Sequence, residues 1–190
     1  MKDGKIIVLS APSGSGKTTL VKHLLNKNSK LAFSISATSR TPRKNEINGK
    51  DYHFLKKESF IEAIRRKSFI EYEEVYEGIY YGTLKSELFK IWENKKIAVF
   101  DIDVEGGLNI KSQFTKNTLS IFIKPPSLSI LKDRLLKRKT DSKKNVEIRI
   151  SKAQKEIDQE NKFDHIIVND DISIAKLELD KIVDDFILKK

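Results

Sequence analysis

The stretch that decides the fold is Ile6-Ile7-Val8-Leu9-Ser10-Ala11-Pro12-Ser13-Gly14-Ser15-Gly16-Lys17-Thr18-Thr19. Its apolar start predicts a buried strand, and the residues 17–28 that follow place leucine and valine on one face of a helix. Between strand and helix lies a turn rich in glycine and serine. This turn matches the P-loop pattern G-x-x-x-x-G-K-[ST], except that Ala11 stands where the pattern has its first glycine.

A loop of this kind binds the phosphates of a nucleoside triphosphate. Gly14 and Gly16 let backbone N–H groups turn toward phosphate oxygens at the positive end of a helix. Lys17 is expected to bridge the β- and γ-phosphates, and the Thr18 hydroxyl to join the shell of Mg²⁺. A purely structural turn is the alternative, which the Gly-Lys-Thr-Thr register disfavours. The residues expected to bind this triphosphate are Ala11, Pro12, Ser13, Gly14, Ser15, Gly16, Lys17, Thr18 and Thr19.

Short apolar runs alternate with helical patterns along most of the chain. This alternation is typical of an α/β fold whose central parallel sheet is covered on both faces. The stretch 34–83 breaks the pattern with turn signals and an alternating strand, so we expect a small α+β subdomain inserted after the second strand. Further strands are predicted at 97–100, 119–123 and 166–168, and helices at 59–67, 83–93, 127–138, 145–160 and 172–188.

Two carboxylates follow the strand predicted at 97–100. Asp101 and Asp103 are two residues apart, so on a strand they would project from one face, at the end where ligands of open α/β sheets bind. Asp101 is expected to orient Mg²⁺ or its waters together with Thr18. A structural role as a helix cap is the stronger alternative for Asp103, because Glu105 and Gly106 follow it.

Arginine is scarce, at seven of the 37 Lys and Arg residues. The turn Arg40-Thr41-Pro42-Arg43 sets two planar guanidinium groups close together, with Tyr52 downstream and a further phenol available in Tyr80-Tyr81-Gly82. Planar forks of this kind match the oxygens of a phosphate, so the turn predicts a second anion site. A solvated basic turn is the alternative.

A second arginine group surrounds the cation-rich segment 137–144, which we expect to be mobile. It consists of Arg134, Arg138 and Arg149. Arg134 and Arg138 are four residues apart and share a helix face. On a closing lid, these cations would stabilise charge during phosphoryl transfer and exclude water. Long cations that only cover a helix face are the alternative.

Composition bounds the class of protein. A chain of 190 residues suits one domain, and the lack of cysteine excludes disulfides and is compatible with a reducing compartment. No apolar run reaches the length of a membrane span or a signal core, so a cytoplasmic location is expected. The net charge of +10 favours phosphate-rich partners. Nucleic-acid binding rests on that charge alone, since no base-reading motif accompanies it.

Together these motifs resemble the guanylate kinase family, over nearly the whole chain. The block Thr38-Ser39-Arg40-Thr41-Pro42-Arg43 with Asn48-Gly49-Lys50-Asp51-Tyr52 is highly specific to that family. The resemblance is carried by 11–19, Ser34–Tyr52 (SISATSRTPRKNEINGKDY), Phe69-Ile70-Glu71-Tyr72, Tyr80-Tyr81-Gly82, Asp101-Ile102-Asp103, Pro125-Pro126-Ser127, the three arginines of 134–149 and Val168-Asn169-Asp170-Asp171.

The resemblance implies a P-loop three-layer fold in a single domain. Its parts would be a core of 1–33, 84–133 and 151–190, a GMP-binding insertion at 34–83 and a mobile lid at 134–150. The implied reaction is ATP-dependent phosphorylation of GMP, and of dGMP, by direct in-line transfer with Mg²⁺. No nucleic-acid, membrane or obligatory protein partner is expected. The implied catalytic residues are Lys17, Arg40, Arg134, Arg138 and Arg149.

The resemblance also implies an acceptor site and an adenine contact. The GMP phosphate would be held by Arg40, Arg43, Tyr52 and Tyr80, guanine by Ser36, Glu71 and Thr83, adenine would lie near Asn169, and Asp101 would belong to the substrate site as well as to the metal. Chemistry agrees for guanine, because its N1–H and 2-amino groups donate to a carboxylate such as Glu71, while its O6 accepts from a hydroxyl such as Ser36.

Two alternative functions stay open, one from another functional class and one enzymatic. A non-catalytic domain of this family could bind phosphopeptides in the GMP cleft, but it would not need Lys17 and the lid arginines. A kinase for another monophosphate would not explain Glu71 together with Ser36. One departure from the family pattern, Lys139 where glycine usually follows the lid arginine Arg138, leaves the closure of the lid open.

Overall fold

Strands and helices alternate in the structure, a computed structural model that describes residues 4–137 and 143–189. The elements are β1 (Ile6–Ser10), α1 (Lys17–Lys27), β2 (Leu31–Phe33), β3 (Ala37–Thr38), β4 (His53–Phe54), α2 (Lys57–Arg65), β5 (Phe69–Tyr76), β6 (Ile79–Leu84), α3 (Lys85–Glu93), β7 (Ile97–Ile102), α4 (Val104–Gln113), β8 (Thr118–Lys124), α5 (Leu128–Lys137), α6 (Lys143–Ile157), β9 (His165–Val168) and α7 (Ile172–Leu188).

The main sheet has five parallel strands in the order β2-β7-β1-β8-β9. The central strand β1 is fully buried, and its side chains alternate between two apolar cores. Ile7 and Leu9 pack with residues of α1 and α7, whereas Ile6 and Val8 pack with residues of α3 and α4. Helices therefore cover both faces, which confirms the predicted three-layer α/β fold with a central parallel sheet.

The chain between β2 and α3 forms a second sheet of four strands, in the order β4-β3-β6-β5. Its strands β5 and β6 form an antiparallel hairpin, and β3 pairs with β6 in the same sense. The helix α2 covers this sheet through Phe60, which stacks on Phe69 with ring centroids 4.4 Å apart. The small sheet and α2 have their own apolar core.

The helix α4 is absent from the sequence-based prediction. Its first turn contains Gly106 and Gly107, which lower helix propensity and hide the pattern. The structure shows why Gly107 is needed, because a Cβ at this position would overlap the Ser10 hydroxyl of β1. Asp103 caps this helix by accepting from Gly106 N at 2.8 Å, the structural role that its neighbours favoured.

Two helices, α5 and α6, contain the two ends of the segment 134–150 that is expected to act as a lid. They share a small core that includes Leu131, Leu135, Val146 and Ala153. Arg138 and Lys139 lie outside the described residues, as does most of the segment predicted to be mobile. Of the helices in the described ranges, none is both long enough and apolar enough to cross a membrane.

Candidate active site

The phosphate loop turns sharply between β1 and α1. Gly14 and Gly16 have φ angles of 98° and 90°, in the left-handed region that favours glycine. Ser15 N donates to Pro12 O at 3.1 Å and closes the turn. The helix α1 starts at Lys17, and the first N–H groups of a helix have no intrahelical partner. These donors are therefore available to an anion at the place where the sequence predicts a phosphate site, residues 11–19.

Lys17, Thr18 and Asp101 meet where β1 and β7 end side by side. Lys17 Nζ lies 3.0 Å from Asp101 Oδ1 and also donates to Ile102 O. The Thr18 hydroxyl donates to Asp101 Oδ2 at 2.9 Å. Both oxygens of Asp101 are therefore directed at the phosphate loop. A hydroxyl and a carboxylate in contact are hard oxygen ligands of the type that Mg²⁺ prefers.

Arg40 is the centre of the second predicted anion site. Its two terminal nitrogens each lie 2.6 Å from an oxygen of Glu46, and its Nε donates to the Tyr81 hydroxyl at 3.0 Å. The guanidinium also lies over the ring of Tyr52, 5.1 Å from its centroid. Glu46 accepts from Arg43 N as well, at 2.8 Å. These two donors lower the pKa of Glu46 to about 2, the Arg40 fork most strongly.

The tyrosine that contacts Arg40 is Tyr81, whereas the resemblance implies Tyr80 for the phosphate site. Adjacent residues on a strand point to opposite faces. Tyr80 therefore faces away, where its half-buried ring stacks on Phe60 with centroids 5.6 Å apart, against the core of the small sheet. The side chain of Arg43 is exposed, so its fork remains available to an anion.

Glu71 and Thr83 pair across the hairpin of β5 and β6. Thr83 Oγ1 donates to Glu71 Oε1 at 2.7 Å, and both residues are buried. Burial raises the pKa of Glu71 to about 7, and the charge of Asp103 adds to this, against the hydrogen bond from Thr83. The remaining predicted base contact, Ser36, is half-buried just before β3, where its carbonyl accepts from His53 N.

A cavity of about 430 Å³ opens beside Glu71, between β5, the start of α4 and α6. Acidic groups line it together with Lys152 and Lys155, and besides Glu71 three of the carboxyl groups have shifted pKa values. Glu73 has its pKa raised to about 7, chiefly by its hydrogen bond to Asp103. Burial alone would raise the pKa of Asp103, but the hydrogen bonds from Glu73 and Gly106 lower it. Burial raises the pKa of Glu156 on α6 to about 7.

Two of the three predicted lid arginines lie next to the phosphate loop. Arg149 of α6 donates to the Ser13 hydroxyl at 2.6 Å. Arg134 of α5 donates through both terminal nitrogens to Asn169 O, at 3.1 and 3.0 Å. Asn169 is buried, and its side-chain amide donates to Ser15 O at 2.7 Å. The third arginine, Arg138, lies outside the described residues.

The sequence analysis missed Glu46, and of the two tyrosines in Tyr80-Tyr81-Gly82 it assigned Tyr80 to the phosphate. A signal for Glu46 was present, because it lies three and six residues from the two arginines of a tight turn. No comparable signal separates Tyr81 from Tyr80, since the choice depends on how β6 pairs with β3, which sets Thr38 opposite Tyr81.

Comparisons with known proteins agree with this geometry. The model of the family "Guanylate kinase" matches residues 3–186. The chain is 49% identical to a guanylate kinase of Bacteroides thetaiotaomicron over 187 residues, 98% of this chain and 92% of the relative. It is 47% identical to one of Porphyromonas gingivalis, over 97% of this chain and 99% of the relative.

A solved structure supports the same assignment. The crystal structure of a guanylate kinase from Anaplasma phagocytophilum superposes with a TM-score of 0.76 at 28% identity, covering all of this chain and 89% of the other. The family match, the near full-length relatives and this structure lead to one conclusion: the chain belongs to the guanylate kinase family.

Proposed function

We propose that this protein transfers the γ-phosphoryl group of ATP to GMP, giving ADP and GDP. The observation that carries the proposal is the buried Glu71–Thr83 pair, which lies beside the first turn of α4. Glu71 Oε2 lies 3.2 Å from the position that a Cβ of Gly106 would occupy. Gly106 is in the first turn of α4, which follows Asp101 and Ile102 at the end of β7. A base-reading carboxylate and a triphosphate site therefore share the strand end of β7.

The acceptor base follows from the donors and acceptors of this pair. An ionised Glu71 accepts two hydrogen bonds, from the N1–H and 2-amino groups of guanine. Adenine would place an acceptor against the carboxylate, and a buried polar group left unpaired is a strong source of discrimination. The named contacts address base and phosphate and none is assigned to the 2′-hydroxyl, so we propose dGMP as a second acceptor.

Transfer needs little covalent help from the protein, because positioning and charge stabilisation carry most phosphoryl-transfer catalysis. Lys17, Arg134 and Arg149 surround the loop, and Arg43 with Tyr52 and Tyr81 would hold the acceptor phosphate. Thr18 and Asp101 would hold Mg²⁺, which would supply positive charge to the phosphate oxygens. A cysteine-free chain is compatible with the reducing cytoplasm, where we place this reaction.

The direct test is ADP release with ATP, Mg²⁺ and, in separate reactions, GMP, dGMP, AMP, CMP and UMP. We expect turnover with GMP and dGMP. Turnover with AMP or a pyrimidine nucleotide in place of GMP would remove the role given to Glu71. If the folded protein turns over none of the five, it is not a nucleoside-monophosphate kinase.

Binding of GMP is expected to strengthen as pH rises through neutrality. Only the ionised Glu71 accepts both guanine donors, and burial raises its pKa to about 7. Between about pH 6 and about pH 8, the KM for GMP should therefore fall in the unmodified protein by a factor about five- to tenfold larger than in Glu71→Gln. The variant is the reference because the phosphate group of GMP titrates equally in both assays. Equal pH dependence in both proteins would contradict a titrating Glu71.

The two neighbouring tyrosines should differ sharply in a phosphate-binding test. Tyr81→Phe removes the hydroxyl beside Arg40 and is expected to raise the KM for GMP about tenfold, the effect of one hydrogen bond to a charged group. Tyr80→Phe, the matched change on the opposite face of β6, should leave it within about twofold. The reverse ranking would restore Tyr80 as the phosphate ligand.

A further inference from the structure

Asn169 lies behind the phosphate loop, in the turn that joins β9 to α7. Only 4% of its surface is exposed, and its side-chain amide reaches across the fold to donate to Ser15 O at 2.7 Å. Its backbone N–H donates to Lys124 O at 2.8 Å, which fixes the residue at the end of β8. Two main-chain carbonyls from distant segments thus hold this one asparagine.

The loop has the shape that this amide requires. A Cβ at Gly16 would overlap Asn169 Nδ2, so the amide occupies the space that glycine leaves. On the neighbouring side, Leu131 and Leu135 of α5 lie 3.1 Å from the position that a Cβ of Gly14 would occupy. Asn169 and α5 thus pack against the side of the turn that lies opposite the expected phosphate site.

Asn169 also fixes an arginine. Its backbone oxygen accepts from both terminal nitrogens of Arg134, which α5 carries. The same residue therefore sets the conformation of the Ser15–Gly16 turn and the place of a cation beside it. A base contact would require neither interaction.

We infer that Asn169 is a positioning residue for the phosphoryl donor. Its amide fixes the phosphate loop and its carbonyl orients Arg134, so that the groups that bind the triphosphate are held in place before it arrives. The kinetic consequence rests on the proposed function, whereas the effect on triphosphate binding does not. A residue that only contacted adenine would leave the affinity for the phosphates unchanged.

Inorganic tripolyphosphate separates these two roles, because it carries phosphates and no base. In Asn169→Asp a carboxylate oxygen faces Ser15 O, and in Asn169→Ala the donor is lost. By calorimetry, we expect both variants to bind ATP and tripolyphosphate about 10- to 100-fold more weakly, by equal factors, as for a lost buried hydrogen bond. The KM for GMP should change less than about twofold, while kcat/KM for ATP falls with the affinity.

The control is Asn161→Asp, the same chemical change on an exposed residue, which should bind both ligands like the unmodified protein. Circular dichroism checks folding, and Asn169→Ser replaces any variant that does not fold. A loss of affinity confined to ATP would overturn the inference in favour of an adenine contact. Unchanged affinity for both ligands in a folded variant would overturn it too. If the Asn169 variants bind tripolyphosphate more weakly but the unmodified protein does not phosphorylate GMP, the positioning role is retained and the proposed function is removed.

Discussion

Replacement of Lys17 by methionine is expected to lower kcat/KM for ATP by about 10³-fold, the effect of removing one preorganised cation from a phosphoryl-transfer site. Methionine retains the length and apolar stem of the lysine, so the change isolates the charge. Lys17 Nζ now lies between Asp101 Oδ1 and Ile102 O, at the edge of the phosphate loop. Its ammonium group is the side-chain cation that the loop itself supplies.

Lys22→Met is the matched control, since Lys22 is an exposed residue of the same helix α1. Its kinetics should equal those of the unmodified protein in the coupled assay. Calorimetry with GMP alone should show unchanged affinity in Lys17→Met, because the acceptor contacts come from the small sheet and its turns. Full turnover in Lys17→Met would exclude phosphate binding by the predicted loop, whatever the acceptor.

The phosphate loop was predictable because its signal is local. Consecutive residues supply the strand, the turn and the start of the helix, and Gly14 and Gly16 prove to have the positive φ angles that the pattern requires. The strands β1, β7 and β8 were predictable for a related reason, since a strand buried on both faces is apolar throughout. The structure extends each of them by one or two residues, where polar side chains such as Ser10 and Asp101 continue the strand.

Other features depend on pairing between distant segments. Whether Tyr80 or Tyr81 faces Arg40 is decided by the register of β6 against β3, and a shift of one residue would exchange them. The bond from Asn169 to Ser15 joins residues 154 positions apart. The helix α4 was missed because Gly106 and Gly107 lower its helix propensity, and Gly107 is required by the close approach to Ser10 of β1.

Substitution of Glu71 by glutamine is expected to lower kcat/KM for GMP about 100-fold, the upper range for one charge-assisted hydrogen bond. Glutamine still accepts from Thr83, but its amide turns a donor toward the donors of guanine. The same amide complements adenine, which presents an acceptor and a donor on this edge. We therefore expect kcat/KM for AMP to rise while kcat/KM for GMP falls. The GMP-to-AMP ratio of kcat/KM should then fall by a larger factor than kcat/KM for GMP does.

The control is Glu77→Gln, the same change on an exposed residue of the β5–β6 hairpin, which should leave both acceptors unaffected. Thermal unfolding gives a second, independent readout. Because burial raises the folded-state pKa of Glu71 to about 7, from an ordinary value of 4.5, the folded protein binds the proton more tightly than the unfolded chain.

This difference in proton binding stabilises the fold below the ordinary pKa, and the stabilisation is lost as pH rises through about 7. Without GMP, the melting temperature of the unmodified protein should therefore fall between about pH 5 and about pH 8 relative to that of Glu71→Gln. At the higher pH, saturating GMP should raise the melting temperature of the unmodified protein above that of Glu71→Gln, since guanine binds the ionised carboxylate. An unchanged GMP-to-AMP ratio in Glu71→Gln, with parallel melting curves, would show that Glu71 only braces the hairpin and that another group reads the base.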